Sequence, residues 1–256
     1  HAMSFTMSRN IFSPSFFSFS DDFVIFYIGT NHSRDPKNQQ FNFIRKKWNE
    51  FLKCAKKPCA VVEGRTKKNP ENEIDAIVYG GEIAFVAFLA HKAKVPVFCF
   101  EPPRSVEMNW LTQRFSKEEV EYYYFARIVA QWHRQNQKKS IEEYVLPFLE
   151  RDKKTSGWRD FEFSIGHMRK IHHSLFQGEL DFSNADFFKK IENPTRKDNL
   201  LKNIVRASSK YRDSAIMDGI KKLINQRYDI FIVYGRGHAE IYQKELEKYI
   251  GRPAQN

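Results

Sequence analysis

Two segments of the chain, residues 23–29 and 228–235, share one pattern: an apolar run of β-branched and aromatic residues that ends at a glycine. The first continues as GTNH to His32, and the second as GRGH to His238. Eleven glycines and eight histidines placed at random in 256 residues would give fewer than one such spacing. Because short apolar runs of this kind predict buried strands, the pattern indicates two strand-to-loop turns that each deliver an imidazole to one site.

Short apolar strands alternate with helical periods along the chain. This order predicts an α/β fold with a mostly parallel central sheet that is flanked by helices. Residues 74–79 fit a strand or a helix equally well. The predicted strands are residues 23–28, 59–62, 95–100 and 228–235, and the predicted helices are residues 38–56, 83–93, 116–135, 140–149, 197–225 and 238–250.

The same pattern predicts one α/β domain over residues 21–252, with residues 104–195 as a helical insertion or cap. Within the insertion, residues 153–194 have polar turns, mixed aromatics and no clean period, so we expect irregular structure there. Residues 1–20 are rich in serine and phenylalanine and predict a flexible N-terminal arm or a peripheral strand. The first three residues, His-Ala-Met, are typical of a cloning remnant.

Composition limits the classes of partner and compartment. The net charge of +11 favours acidic partners, but the lysines are scattered over helical segments, so nucleic-acid binding is the less favoured interpretation. The three cysteines have no metal-ligand spacing and favour a cytoplasmic or otherwise reducing compartment. Neither a signal peptide nor a run of 18 apolar residues is seen, so we expect no membrane span.

Four side chains follow the four predicted strands: His32, Glu63, Glu101 and His238. In open parallel sheets the ligand crevice lies beyond the carboxyl ends of the strands. Each residue also has a structural interpretation, because a turn histidine can cap a helix and a strand-end acid can pair with lysine. Their repetition at four strand ends favours a shared functional site.

Two mechanisms fit these residue types. His32, Glu63 and His238 suit a divalent metal such as Mn, Co, Fe or Zn with positions open for water, and the bound hydroxide would attack an acyl carbon. A metal-free mechanism needs His32 as a base, a carboxylate to orient it and a cation that holds an oxyanion. The substrate in either case is a peptide or a small acyl compound.

Further candidates complete the predicted site. Arg212, in the helix before the last strand, would stabilise an oxyanion or bind a substrate carboxylate, although an ordinary helix-surface arginine fits the sequence equally well. Glu82 opens an alanine-rich helix, where an acid also stabilises the helix dipole. Asn31 and Asp213 adjoin these positions and are predicted to contact substrate, as are Glu82 and Glu101.

Taken together in this order, the motifs resemble those of the TraB/PrgY–Tiki superfamily, which includes erythromycin-esterase-like and ChaN-like proteins. The likeness covers residues 23–103 and 200–250 and leaves the middle of the chain uncovered. Six weak motifs in the expected order carry it: Gly29-Thr30-Asn31-His32, Val62-Glu63-Gly64, Gly81-Glu82, Val95-Pro96-Val97 with Glu101-Pro102, Arg212-Asp213, and Gly235-x-x-His238.

The resemblance implies a site built on both G-x-x-H turns. Tiki-like members imply a metal-dependent peptidase with His32, Glu63 and His238 at its centre and with Glu82, Glu101 and Arg212 around them. Erythromycin-esterase-like members imply a metal-independent hydrolase that uses the first histidine as base, and ChaN-like members bind haem. Many relatives have membrane helices or anchors, and we expect none in this chain.

We therefore expect a hydrolase, with a metal-dependent peptidase or amidase first and a metal-independent esterase second. The rival class is a binding or regulatory domain, for instance one associated with a toxin, that keeps the fold without turnover. Nucleic-acid binding is a third class, and its affinity would fall steeply with salt.

Overall fold

The computed structural model describes residues 4–10, 13–19, 23–65, 70–134, 139–192 and 201–250. The predicted cloning remnant, residues 1–3, lies outside them. The chain divides into two compact units, of which the first contains His1–Glu101 and Ala215–Asn256 and the second contains Pro102–Ser214. The second unit therefore includes the predicted insertion and extends beyond it at the C-terminal side.

The first unit is built on a six-stranded sheet in the order β1-β2-β3-β6-β4-β5. The four strands β3, β6, β4 and β5 are parallel, as predicted, and β1 and β2 are antiparallel. The strands are β1 (Ser4–Asn10), β2 (Ser13–Phe19), β3 (Val24–Thr30), β4 (Pro58–Val62), β5 (Val97–Phe98) and β6 (Asp229–Gly235).

Strands β1 and β2 lie in the segment for which the sequence predicted either a flexible arm or a peripheral strand. The structure has the strands, with β2 paired to β3 from Ser15↔Ile28 to Phe19↔Val24. Phe16 stacks on Tyr27 with ring centroids 4.7 Å apart. Such aromatic cross-strand pairs stabilise a sheet, which explains why this phenylalanine-rich segment joins the edge.

Helices cover both faces of the sheet because its strands alternate apolar residues to either side. On one face, Phe26 and Phe231 pack with α1 (Gln39–Cys54) and α2 (Glu73–Lys92). On the other face, Tyr27, Ile232 and Tyr234 pack with residues 215–225 of α8 (Lys202–Asn225) and with α9 (Ala239–Ile250).

Two local predictions need correction or completion. Residues 74–79, which fitted a strand or a helix, form the first turns of α2. The predicted strand at 95–100 is wrong in length, since β5 contains two residues and pairs with β4 only through Ala60↔Val97 and Val61↔Phe98. Pro96 directly before β5 lacks an N–H that could donate to a ladder, which fits its place at the edge of the sheet.

Among the described residues, α2 is long and apolar enough to cross a membrane by length and composition, and 44% of its apolar window is buried. Core helices pass the same test. Because α2 packs on the sheet and is kinked at Gly81, its apolar character also fits a core helix. The absence of a membrane span stays a prediction.

The second unit is helical. Capping boxes at Ser116 and Ser140, seen in the sequence, are present at the starts of α4 and α5. The expectation of irregular structure over residues 153–194 is wrong, because α6 and α7 lie there and Ser164 caps α6. The helices are α3 (Arg104–Leu111), α4 (Lys117–Arg134), α5 (Ile141–Ser156), α6 (Ile165–Phe176), α7 (Ala185–Glu192) and residues 202–214 of α8.

The buried carboxylate of Asp229 joins the amino ends of three strands. It accepts hydrogen bonds from the backbone N–H of Val24 at 2.7 Å, of Lys56 at 2.6 Å and of Lys57 at 2.8 Å. The Asp229 N–H in turn donates to the carbonyl of Lys57 at 2.9 Å. One side chain therefore fixes where β3, β4 and β6 begin relative to one another.

We expect Asp229→Asn to lower the free energy of unfolding by roughly 3 kcal/mol. The substitution removes the charge that strengthens the three hydrogen bonds, and the NH₂ group of the new amide would face backbone N–H donors. Chemical denaturation monitored by circular dichroism measures the change. The control is Asp218→Asn at an exposed position of α8, which should change stability by less than about 0.5 kcal/mol. Equal stability of D229N and the unsubstituted protein would contradict the assigned role.

Candidate active site

The carboxyl edge of the parallel strands brings two of the predicted groups together. Thr30 at the end of β3 pairs with Gly235 at the end of β6, and Val62 at the end of β4 pairs with Val233. His32 and Glu63 follow directly after β3 and β4. The register therefore places both side chains beside the last residue of the central strand.

His32 is held by Glu82, a residue of α2. Its Nδ1 lies 2.5 Å from Oε1 of Glu82, whose side chain is 4% exposed while that of His32 is 64% exposed. Thr30 donates from Oγ1 to the same carboxylate at 3.3 Å, and Ser33 donates from its backbone N–H at 3.4 Å. A buried carboxylate with three donors thus sets the position of a largely exposed imidazole.

The pair shifts both pKa values toward the charged forms. The hydrogen bond with Glu82 raises the pKa of His32 above its usual value, and it outweighs the opposing effect of burial. Burial is the largest single effect on Glu82 and would raise its pKa, but the hydrogen bond and charge of His32 together with backbone N–H donors outweigh it, so that the pKa of Glu82 is lowered. Charge from Glu63 adds to the rise at His32. The imidazolium is therefore retained to higher pH than in an isolated histidine.

Glu63 and Nε2 of His32 both lie close to Gly235. Oε2 of Glu63 accepts a hydrogen bond from the Gly235 N–H at 2.8 Å. A methyl group at Gly235 would lie 3.1 Å from Nε2 of His32 and 3.3 Å from Oε2 of Glu63. Because glycine has no Cβ, the imidazole and the carboxylate can both approach the end of β6 this closely.

A kink in α2 makes the Glu82 contact possible. Gly81 has φ +61° and ψ −148° inside the helix, a conformation that favours glycine. A Cβ at Gly81 would lie 2.8 Å from the carbonyl oxygen of Ser33, so only glycine allows the turn that carries His32 to approach the helix. Gly81 therefore allows the turn and the helix to approach closely, and Glu82 orients the His32 ring.

The structure places the remaining predicted residues as follows. His238 lies in the 3-10 turn Arg236–His238, and its ring packs on Tyr242 with centroids 5.3 Å apart and on Tyr234 at 6.4 Å. Both tyrosines belong to the layer on the α8–α9 face of the sheet, whereas Glu82 comes from α2 on the opposite face.

Asn31 and Glu101 lie close to this edge. Nη1 of Arg236 donates to Oδ1 of Asn31 at 3.4 Å, so the two G-x-x-H turns are in contact. Burial and then the charge of Glu101 raise the pKa of the Tyr234 hydroxyl, ahead of a smaller effect of Glu63. Glu101 therefore acts electrostatically on the end of β6.

Arg212 and Asp213 lie on the part of α8 that belongs to the second unit. Their neighbour Tyr211 stacks on Trp110 of α3, with ring centroids 4.6 Å apart. The roles predicted for Arg212 and Asp213, in oxyanion stabilisation and substrate contact, stay predictions.

Sequence reasoning did not assign Thr30 or Gln40. Thr30 bonds Glu82 and also donates to the carbonyl of Tyr234 at 3.2 Å, linking β3, β6 and α2. Gln40 of α1 is buried and accepts from the Asn31 N–H at 3.2 Å. Thr30 lies inside the GTNH motif, so the motif could have indicated its role. No sequence pattern indicates the role of Gln40, because that role depends on how α1 packs.

Two of the three predicted metal ligands lie near each other, because Nε2 of His32 and Oε2 of Glu63 are both close to Gly235. The carboxylate of Glu82, which bonds Nδ1 of His32, resembles the outer carboxylate that metal-bound histidines commonly have. Within the described residues, however, no group of three or more His, Cys, Asp or Glu side chains is placed to hold a metal ion. The three-ligand set with His238 stays a prediction.

Comparisons of the chain with family models, with curated proteins and with solved structures gave no match. The site is therefore interpreted from its own geometry.

We expect Glu82→Gln to lower the pKa of His32, because the substitution removes both the charge and the strongest hydrogen-bond acceptor of the ring. Proton–nitrogen NMR titration of the His32 imidazole measures it. Glu73→Gln on the same helix is the control, since Glu73 pairs with Arg45 instead. A His32 pKa that is equal in E82Q and the unsubstituted protein would show that Glu82 does not control the imidazole.

Proposed function

We propose that the protein is a hydrolase in which His32 acts as a general base on water or on a nucleophilic hydroxyl and Glu82 orients it. The substrate class is a small acyl compound, an ester or an amide that includes peptides. The observation that carries the proposal is the buried Glu82 carboxylate 2.5 Å from Nδ1 of His32, an imidazole that is 64% exposed and whose Nε2 lies on the side of Gly235 and Glu63.

The arrangement has the parts that a histidine base needs. A carboxylate on Nδ1 fixes one tautomer and leaves Nε2 as the atom that takes a proton. The same carboxylate stabilises the imidazolium that forms when the proton is taken. His32 is 64% exposed, so a substrate has access to it, whereas Glu82 is shielded from water.

Glu63 is the second polar group close to Gly235. The Gly235 N–H holds its Oε2 3.3 Å from the point at which a Gly235 methyl would stand. A carboxylate in that position is suited to orienting an attacking water or to returning a proton to the leaving group. Glu63 is therefore assigned the proton-shuttle role in this proposal.

A metal-dependent peptidase or amidase is the second candidate, favoured by the convergence of His32 Nε2 and Glu63 Oε2. Those two residues would hold a divalent ion, which would supply an activated water when bound. Dialysis against a chelator, followed by elemental analysis and by assay, separates the two candidates. Loss of activity that Mn²⁺, Co²⁺ or Zn²⁺ restores favours the metal enzyme, and full retention favours the histidine base.

A binding or regulatory domain is the third candidate. Glu63→Gln distinguishes it from a catalyst, because a catalyst should lose turnover while a binder should keep its affinity for its partner. The resemblance to the TraB/PrgY–Tiki superfamily supports the hydrolase class as a proposal.

We expect His32→Ala to reduce kcat/KM about 100-fold or more on a responsive ester or amide, because the base is removed. A panel of p-nitrophenyl esters and aminoacyl p-nitroanilides is the assay, and thermal unfolding shows that the variant remains folded. The activity of the unsubstituted protein should rise with pH through the raised pKa of His32, since the neutral imidazole is the base. In E82Q this rise should occur at lower pH. H32A with undiminished activity would eliminate the proposed base.

We expect Gly235→Ala to abolish most of the activity, because its methyl, 3.1 Å from Nε2 of His32 and 3.3 Å from Oε2 of Glu63, would displace both groups. Stability should change little, since φ of −54° at Gly235 suits alanine. Gly237→Ala in the same motif is the matched control, since its methyl would meet nothing within 4 Å. If the two variants show equal activity, the close approach of His32 and Glu63 to Gly235 has no catalytic importance.

A further inference from the structure

The second unit contains a pocket of about 200 Å³ whose lining is strongly basic. None of its described lining residues is acidic. Helices α3, α4 and α5 contribute the lining residues, which are Arg104, Tyr124, Arg127, Ile128, Gln131, Arg134, Phe148 and Arg151.

Two of the arginines share one carboxylate. Nη2 of Arg104 donates to Asp152 at 2.6 Å, and Nε of Arg151 donates to it at 3.1 Å, while the Asp152 side chain is 2% exposed. The Arg104 guanidinium also lies over the ring of Tyr124, 3.7 Å from its centroid. These contacts hold both guanidinium groups in place before any ligand binds, which reduces the entropy lost on binding.

Further contacts hold the lining of the pocket. Nη1 of Arg127 donates to the hydroxyl of Tyr123 at 3.1 Å. Burial and the neighbouring Asp152 raise the pKa of the Glu121 carboxyl to about 9, so Glu121 adds no negative charge at neutral pH. Four guanidinium groups therefore line the pocket, and two of them share the carboxylate of Asp152.

We propose that this pocket binds a small phosphate-bearing anion, such as inorganic phosphate or pyrophosphate. Planar guanidinium groups match phosphate oxygens in bidentate geometry, and several of them converge here. The volume is below the range typical of drug-sized ligands, which favours a compact anion over a polymer chain. The site lies in the helical unit and does not depend on the proposed hydrolase function.

Isothermal titration calorimetry of the full chain with pyrophosphate tests the proposal, with ionic strength held constant by NaCl. We expect a dissociation constant at or below about 1 mM for the unsubstituted protein. Binding should weaken about tenfold or more for each guanidinium removed in R127Q/R134Q. The matched control is R114Q, because Arg114 also lies over an aromatic ring, that of Trp110 at 3.9 Å, but does not line the pocket.

Three results would overturn the proposal. One is the absence of binding by phosphate and pyrophosphate to the unsubstituted protein. Another is an equal loss of affinity in R114Q, which would show a response to overall charge. The third is tighter binding of a short single-stranded RNA through the same arginines, which would make the pocket part of a nucleic-acid surface. If R127Q/R134Q fails to fold, R151Q replaces it, since Asp152 then keeps Arg104 as its partner.

Discussion

The parallel pairing of β6 with β3 on one side and β4 on the other is the constraint on which the candidate site depends. Asp229 fixes the starting points of these strands through three backbone hydrogen bonds. Gly235 ends the central strand between the turns that carry His32 and Glu63. A shift of one residue along either ladder would turn side chains to the opposite face and separate these groups.

The site combines a rigid part with an accessible part. Glu82 is buried on a kinked helix and receives hydrogen bonds from Thr30 and Ser33, so its carboxylate has little freedom. His32 is exposed but takes its position from that carboxylate. The imidazole of His32 therefore stays accessible, while the carboxylate that raises its pKa is shielded from water. Electrostatic interactions are stronger in such a shielded environment.

The sequence pattern was sufficient to predict the α/β class, the parallel strands and the capped helices, because hydrophobic periodicity and capping residues are local properties. It was insufficient for β5, a two-residue strand at the sheet edge, and for α6 and α7, whose aromatic residues obscure the helical period. It predicted His32, Glu63, Glu101 and His238 at one edge and Glu82 as a substrate contact, but it did not show that Glu82 bonds His32. That contact depends on the backbone conformation of Gly81, which hydrophobic periodicity does not predict.

The sequence by itself determined which residue types stand at the ends of the parallel strands, since each apolar run stops at a glycine or an acid before a loop. Only the tertiary structure decided which of them meet. It joined His32 to Glu82 across 50 positions of chain and Glu63 to Gly235 across 172. It likewise gathered arginines of three helices around one pocket. Such contacts arise from packing and strand register, which couple residues far apart in the chain and therefore leave no local pattern.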